Sequence, residues 1–310
     1  MKQVVLAVPD LVSNSYFPAI AAVELGFFRA EGLEARTELI FPNYRAFEAL
    51  RDGAVDLVAG PAHAALPVCP QWRGLKLLGA LAQGMFWLLV MRADLPVTPG
   101  DVGAVRGRML GAAPLVDLTL KQLLADCGVN LVRDHVTIVG VPGAMEPGVS
   151  FGVAAANALE AGAIDGFWAN AMGAETAVRS GIGKVVLDVR RGLGPATAFH
   201  YTLSALAASD RAIARDPDMV ATSLRAVVAT QRALAANPAL ATEVGERLFP
   251  EKEAAVIADI IARDAAFYQP QITPEAVAGL NAFARATGLL KDPVAYDDLV
   301  ATQFQNLWTA

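Results

Sequence analysis

The chain has 310 residues, a formal net charge of -6 and 18% charged residues, below the roughly 25% of an average globular protein. An acidic chain of this kind lacks the basic face that nucleic acid needs. No uncharged apolar run of about 18 residues is present to insert in a membrane. The length is sufficient for two lobes, each with its own core. The two cysteines, Cys69 and Cys127, are read as buried free thiols, with a disulfide as the open alternative, and neither has metal-site spacing.

Lys2 is followed by the apolar run Val4-Val5-Leu6-Ala7-Val8, which stops at Pro9-Asp10. The run is expected to be the first strand rather than a secretory leader. Localisation therefore stays open: periplasmic if a leader has been removed, cytoplasmic if Met1 is the native start. After the strand comes a loop of mixed polarity, Val12-Ser13-Asn14-Ser15-Tyr16-Phe17, with Pro18 set for a helix first turn. A helix is predicted over 19–30, a strand over 37–40, a helix over 45–51 and a buried strand over 57–60. Strands are expected at 76–83 and 86–92, the second long enough to leave one lobe for the other. The Pro- and Gly-bearing segment 94–107 then reads as a boundary.

The same order begins again. A strand is predicted at 108–113, a helix at 118–125 with Asp117 as candidate N-cap, and a strand at 136–139. The stretch 140–152, rich in Gly and Pro, is expected to be a mobile loop. Ala49-Leu50-Arg51-Asp52-Gly53-Ala54-Val55-Asp56 returns as Ala158-Leu159-Glu160-Ala161-Gly162-Ala163-Ile164-Asp165, each copy running into an apolar segment. The Gly stops a helix in the left-handed conformation and a short buried strand follows. A strand is expected at 184–189, Arg190-Arg191-Gly192 as a solvated turn, and 198–203 as the strand that returns to the first lobe. From Ser209 onward, helices punctuated by proline form a tail.

Strand–helix alternation repeated in this way implies two α/β lobes, each a mostly parallel sheet flanked by helices, with a helical C-terminal tail. The expected division is 1–92 plus 200–310 for lobe 1 and 93–199 for lobe 2. Ligands of such lobes sit at the carboxyl ends of the strands, which makes a cleft between lobes the expected site.

The loop Tyr16-Phe17-Pro18, the Ala-rich helix and Gly26-Phe27-Phe28-Arg29-Ala30-Glu31-Gly32-Leu33 resemble the periplasmic substrate-binding proteins of ABC transporters. The nearest branch is that of the aliphatic sulfonate, nitrate/taurine and thiamine-pyrimidine (NMT1/THI5-like) proteins. The Gly-x-[Val/Ile]-Asp motif before the third strand also fits it. The resemblance covers about residues 3 to 205. It implies the two-lobed, type II periplasmic-binding-protein fold and a solute-binding protein that closes on a small polar or aromatic molecule. The implied partner is an ABC permease. It also implies that the loop of Asn14 and Tyr16 meets ligand. The cysteine-rich iron-binding motif of the fungal pyrimidine synthases in that group is absent, and no cofactor is expected.

Candidate ligand-binding residues follow from position. His63 stands at the carboxyl end of the third predicted strand, and Asn43 and Tyr44 at the end of the second. Trp87 and Trp168 are aromatic pocket walls or core filling. Asp117 and Asn170 are caps or ligand contacts, and His200 is pocket contact or hinge packing; His135 is a solvated turn residue. No metal site is expected from His63 and His200 without a third ligand. No nucleophile elbow, phosphate loop or zinc-spaced pair occurs. The alternative is a cytoplasmic enzyme of decarboxylase or lyase type, or a sensor, on the same fold. His63 or His200 would then be its general acid or base.

Overall fold

The computed structural model describes residues 1–146 and 148–309. Val4, Leu6 and Val8, none more than 1% exposed, carry the first strand, β1 (Lys2–Val8), into the core. α1 (Phe17–Glu24) starts with Pro18 in its first turn, and Gly26 in the left-handed region separates it from α2 (Phe27–Ala30). β2 (Leu33–Leu39) pairs in parallel with the whole of β1. α3 (Asn43–Asp52) stops at Gly53 and leads to β3 (Leu57–Pro61), buried at every position. A 3-10 turn, Ala62–Ala65, continues from it, and β4 (Leu75–Ala82) ends this segment.

The chain then builds a second sheet. β5 (Leu88–Arg92) is followed by β6 (Met109–Ala112), α4 (Val116–Asp126), β7 (Thr137–Val139) and α5 (Phe151–Glu160). β8 (Gly166–Ala169), α6 (Ala171–Arg179) and β9 (Gly183–Leu187) complete it. After a 3-10 segment at Ala196–His200, β10 (Ser204–Ser209) joins the first sheet. Six α-helices follow among the described residues: α7 (Asp210–Arg215), α8 (Pro217–Ala236), α9 (Leu240–Leu248), α10 (Glu251–Asp264), α11 (Pro274–Ala286) and α12 (Tyr296–Leu299).

The strand orders are β2-β1-β3-β10-β4 and β7-β6-β8-β5-β9. Each sheet has one strand, β10 or β5, running antiparallel to both its neighbours. The remaining pairs are parallel. The same plan occurs twice, as the sequence repeat implied.

The repeated motif has a function beyond stopping a helix. Ala54 N–H reaches back to Ala49 O at 2.8 Å, and Ala163 N–H to Ala158 O at 2.9 Å. The motif's last residue then binds the first strand of its own repeat, β1 or β6. Asp56 N–H donates to Val5 O and its carboxylate accepts from Val5 N–H, both at 2.9 Å. Asp165 does the same with Met109, at 2.8 and 2.9 Å. The aspartate satisfies a strand N–H that the ladder leaves over, and so sets where the third strand of the repeat begins.

The C-terminal region covers the edge of the first sheet. Ala301 N–H donates to Leu77 O, the Trp308 indole to Leu78 O, and Ala80 N–H to Pro270 O. Gln231 Nε2 donates to both Ala80 O and Leu81 O. β4 is therefore not an open edge inviting another chain.

Two units are formed by Met1–Gln83 with Thr202–Ala310, and by Gly84–Tyr201. The expected boundaries at 92/93 and 199/200 thus move. β5 lies between β8 and β9 in the second sheet, so 84–92 belongs wholly to the second unit. Residues 198–203 are not a returning strand, because Ala196–His200 is 3-10 and β10 begins only at Ser204. In the expected loop at 140–152, Pro147 lies outside the described residues and Phe151 already opens α5. Cys69 is a buried free thiol, whereas Cys127 is half-buried, not fully so.

Candidate functional site

In the first unit the carboxyl ends of β1 and β3 gather a set of buried polar groups. The loop after β1 is held by Asp10, whose carboxylate accepts from Val12 N–H at 2.9 Å, and by Tyr16 N–H donating to Ser13 O at 3.1 Å. Ser13, Asn14, Ser15 and Tyr16 are all buried. Asn14 is fixed on both its side chain and its backbone. Its amide donates to the buried carboxylate of Asp264, at the end of α10, and its carbonyl accepts from the Tyr268 hydroxyl at 2.7 Å. Ser204, the first residue of β10, donates to Ser15 O at 2.7 Å. Burial, reinforced by the Asp10 carboxylate, holds the Tyr16 phenol protonated well above its ordinary range.

In this bonded loop, Ser13 Oγ and Ser15 Oγ are buried and have no hydrogen-bond partner within the protein. Buried hydroxyls without a protein partner are uncommon, which makes the pair a candidate for a bound water or a ligand atom.

His63 lies on the 3-10 turn after β3 and is wholly buried. Its Nδ1 is 2.7 Å from Thr202 Oγ1, and its ring stands edge-on to Phe283 at 5.5 Å. Asn43 is buried at the start of α3, and neighbouring Tyr44 is half-buried under the Arg45 guanidinium, 5.5 Å from the ring centre. Of the residues expected from the sequence, the structure thus brings Asn14, Tyr16 and His63 to strand ends of this unit that β10 links. Ser204 binds the first loop, and Leu203 O accepts from Ala62 N–H at 2.8 Å.

The second unit holds the others by itself. Trp168, one residue before the end of β8, has no exposure, and its indole donates to Thr119 Oγ1 of α4 at 2.9 Å, so it fills that unit's core. Asn170 caps α6 by accepting from Gly173 N–H at 3.0 Å. Asp117 is not the N-cap of α4. Leu115 occupies that position at φ 68°, and the Asp117 carboxylate in the first turn pairs with Lys121. Asp117 lines a crevice of about 320 Å³ with Pro114, Leu115 and Ile138 where β6 and β7 end. Trp87 stacks obliquely on Phe86 at 4.4 Å, and His200 stands edge-on to Phe199 at 4.9 Å. Arg190, expected in a solvated turn, is buried over the Phe86 ring at 5.7 Å. Tyr201 donates to the Asp126 carboxylate, and burial followed by that hydrogen bond raises its phenol pKa far above its usual value.

Sequence reasoning missed Ser13, Ser15, Thr202, Asp264 and Tyr268. The serines lie in the loop already singled out; Asp264 and Tyr268 had no local signal. Among the described residues no group of His, Cys, Asp or Glu is arranged to hold a metal ion, and no helix is long and apolar enough to cross a membrane.

The NMT1/THI5-like family model matches residues 13–241. The chain belongs to this family. The match begins at Ser13, in the loop with the two unmatched hydroxyls, and reaches into α9. Among solved structures, the family member is similar to the alkanesulfonate-binding protein of Xanthomonas axonopodis pv. citri, bound to MOPS. The identity is 14%, the coverage 95% of this chain and 96% of that one, and the TM-score 0.69. The periplasmic nitrate-binding protein of Synechocystis PCC 6803 is 14% identical over 100% of this chain and 88% of that one, at TM-score 0.70. A point mutant of DSZB, solved in complex with biphenyl-2-sulfinic acid, is 17% identical over 99% of this chain and 98% of that one, also at 0.70. These likenesses establish the type II periplasmic-binding-protein fold. No curated protein matches the chain.

Proposed function

We propose that this family member is a solute-binding protein, the substrate-binding component of an ABC-type importer, and that it takes a small polar or aromatic molecule. The observation that carries the reading is the pair of buried, unmatched hydroxyls, Ser13 and Ser15, in a loop whose other polar groups are tied down. A rigid loop offering two unspent hydrogen-bonding groups is pre-organised for a ligand atom rather than for folding. His63, Asn43 and Tyr44 contribute from the same unit. Asp117, Asn170, Trp87, Trp168 and His200 are the second unit's candidates, with Trp168 acting through the packing of α4. The partner is a permease, a reading supported by the fold likeness to the sulfonate- and nitrate-binding proteins.

A thermal-shift and calorimetric panel of MOPS, short alkanesulfonates, nitrate, small carboxylates and pyrimidines tests this. A hit should raise the melting temperature in proportion to its affinity. Ser13→Ala and Ser15→Ala should each weaken that hit about tenfold. Binding that both variants and His63→Ala leave unchanged would remove the site. A second reading, an enzyme, is favoured by the close His63–Thr202 pair and by fold likeness to the desulfurization enzyme DSZB. Mass spectrometry of the same mixtures separates the two, since a binder returns its solute unaltered.

A further inference from the structure

Two consecutive residues without glycine's freedom, Gln71 and Trp72, adopt left-handed backbone, at φ 58° and 52°. Side chains resist that region, and a strained pair persists only where surrounding contacts hold it. What holds it is Trp72. The side chain is 1% exposed, and its indole N–H donates to Ala62 O at 2.9 Å. Ala62 O belongs to the peptide unit that joins Ala62 to His63. The other side of the same turn is pinned by Ala62 N–H donating to Leu203 O at 2.8 Å. The His63 ring then meets Thr202 Oγ1 and the edge of Phe283.

We infer that Trp72 is a positioning residue for His63: the left-handed Gln71–Trp72 bend aims the indole at the 62–63 peptide, and that bond fixes the imidazole on Thr202. The strain has a use in this arrangement, because an ordinary turn at 70–73 would send the Trp72 side chain elsewhere. Its relevance to ligand rests on the site proposed above, whereas the positioning itself does not.

The chain has three histidines, so their ring signals can be followed individually by NMR. Trp72→Phe keeps an aromatic body and removes the donor. It should displace the His63 ring resonances and speed exchange of its ring proton about tenfold, the loss expected for one hydrogen bond. His135 and His200 should stay in place. The control is Trp308→Phe, which removes another buried indole bond of the same unit, to Leu78 O at 2.9 Å. It should lower stability without moving His63. Unmoved His63 signals in Trp72→Phe, or equal displacement in Trp308→Phe, overturn the assignment. Should Trp72→Phe not fold, the wild type decides: the Trp72 indole proton must exchange with solvent as slowly as the buried amides of the same unit, and unprotected exchange ends the proposal. If His63→Ala leaves solute binding intact while Trp72→Phe moves the ring, the ligand site fails and the positioning stands.

Discussion

At the scale of single residues, the chain matches some buried polar groups within the protein and leaves others unmatched. Asp56 and Asp165 each match a strand N–H that would otherwise be unpaired. Ser13 and Ser15 do the reverse, leaving hydroxyls buried and unmatched. Replacing such a hydroxyl with a hydrogen removes a desolvation penalty of about 1–3 kcal/mol and leaves only a small void. Ser13→Ala and Ser15→Ala should therefore stabilise the unliganded protein, by about 1 kcal/mol each, while they weaken solute binding. Urea unfolding without solute measures the first effect. Loss of stability in both variants would show that the hydroxyls serve the fold. Opposite signs for folding and binding are the mark of a site kept at a cost to stability.

At the scale of elements, Gly152 and Gly173 let α5 and α6 come close. A methyl group on Gly173 would stand 2.5 Å from Gly152 O, which is backbone and cannot move aside. A methyl on Gly152 would lie as near to Asn170 Oδ1, the cap of α6. Gly173→Ala should destabilise by about 1–3 kcal/mol through overpacking, despite alanine's better helix propensity. A melting temperature equal to or above wild type would refute that contact. Neither glycine was legible in the sequence as a close approach, because each reads as a weak helix residue until its partner is known. Elements with a local cause were legible: the Gly53 and Gly162 stops, Pro18 in the first turn of α1, the proline-punctuated tail. The returning strand was misplaced because 198–203 has strand-like residues, but Pro195 and the Ala-rich turn favour 3-10 geometry. Asn14 and Tyr16 could be singled out by their loop. The ties of Asn14 to Asp264 and Tyr268 span 250 or more residues and leave no periodic trace.

At the scale of the whole molecule, the two units share a plan but differ in how the chain supplies them. The second is one continuous segment, Gly84–Tyr201, with its own five-stranded sheet and all five strands inside that segment. Its core contains Trp168, Phe167, Leu120 and Leu123, none of them exposed. The first unit is made from both ends of the chain. β10 lies between β3 and β4, and the C-terminal region satisfies the outer carbonyls of β4. A segment limited to 1–83 would therefore lack a central strand and leave β3 and β4 unpaired on the sides that β10 occupies. From this asymmetry, 84–201 produced alone should melt cooperatively with the far-UV circular dichroism of an α/β domain. The 1–83 segment should show no cooperative transition and should aggregate through its open strands. If 84–201 instead remains unfolded alone, its sheet depends on residues of the other unit, and the repeat is a duplication of topology without a duplication of folding autonomy.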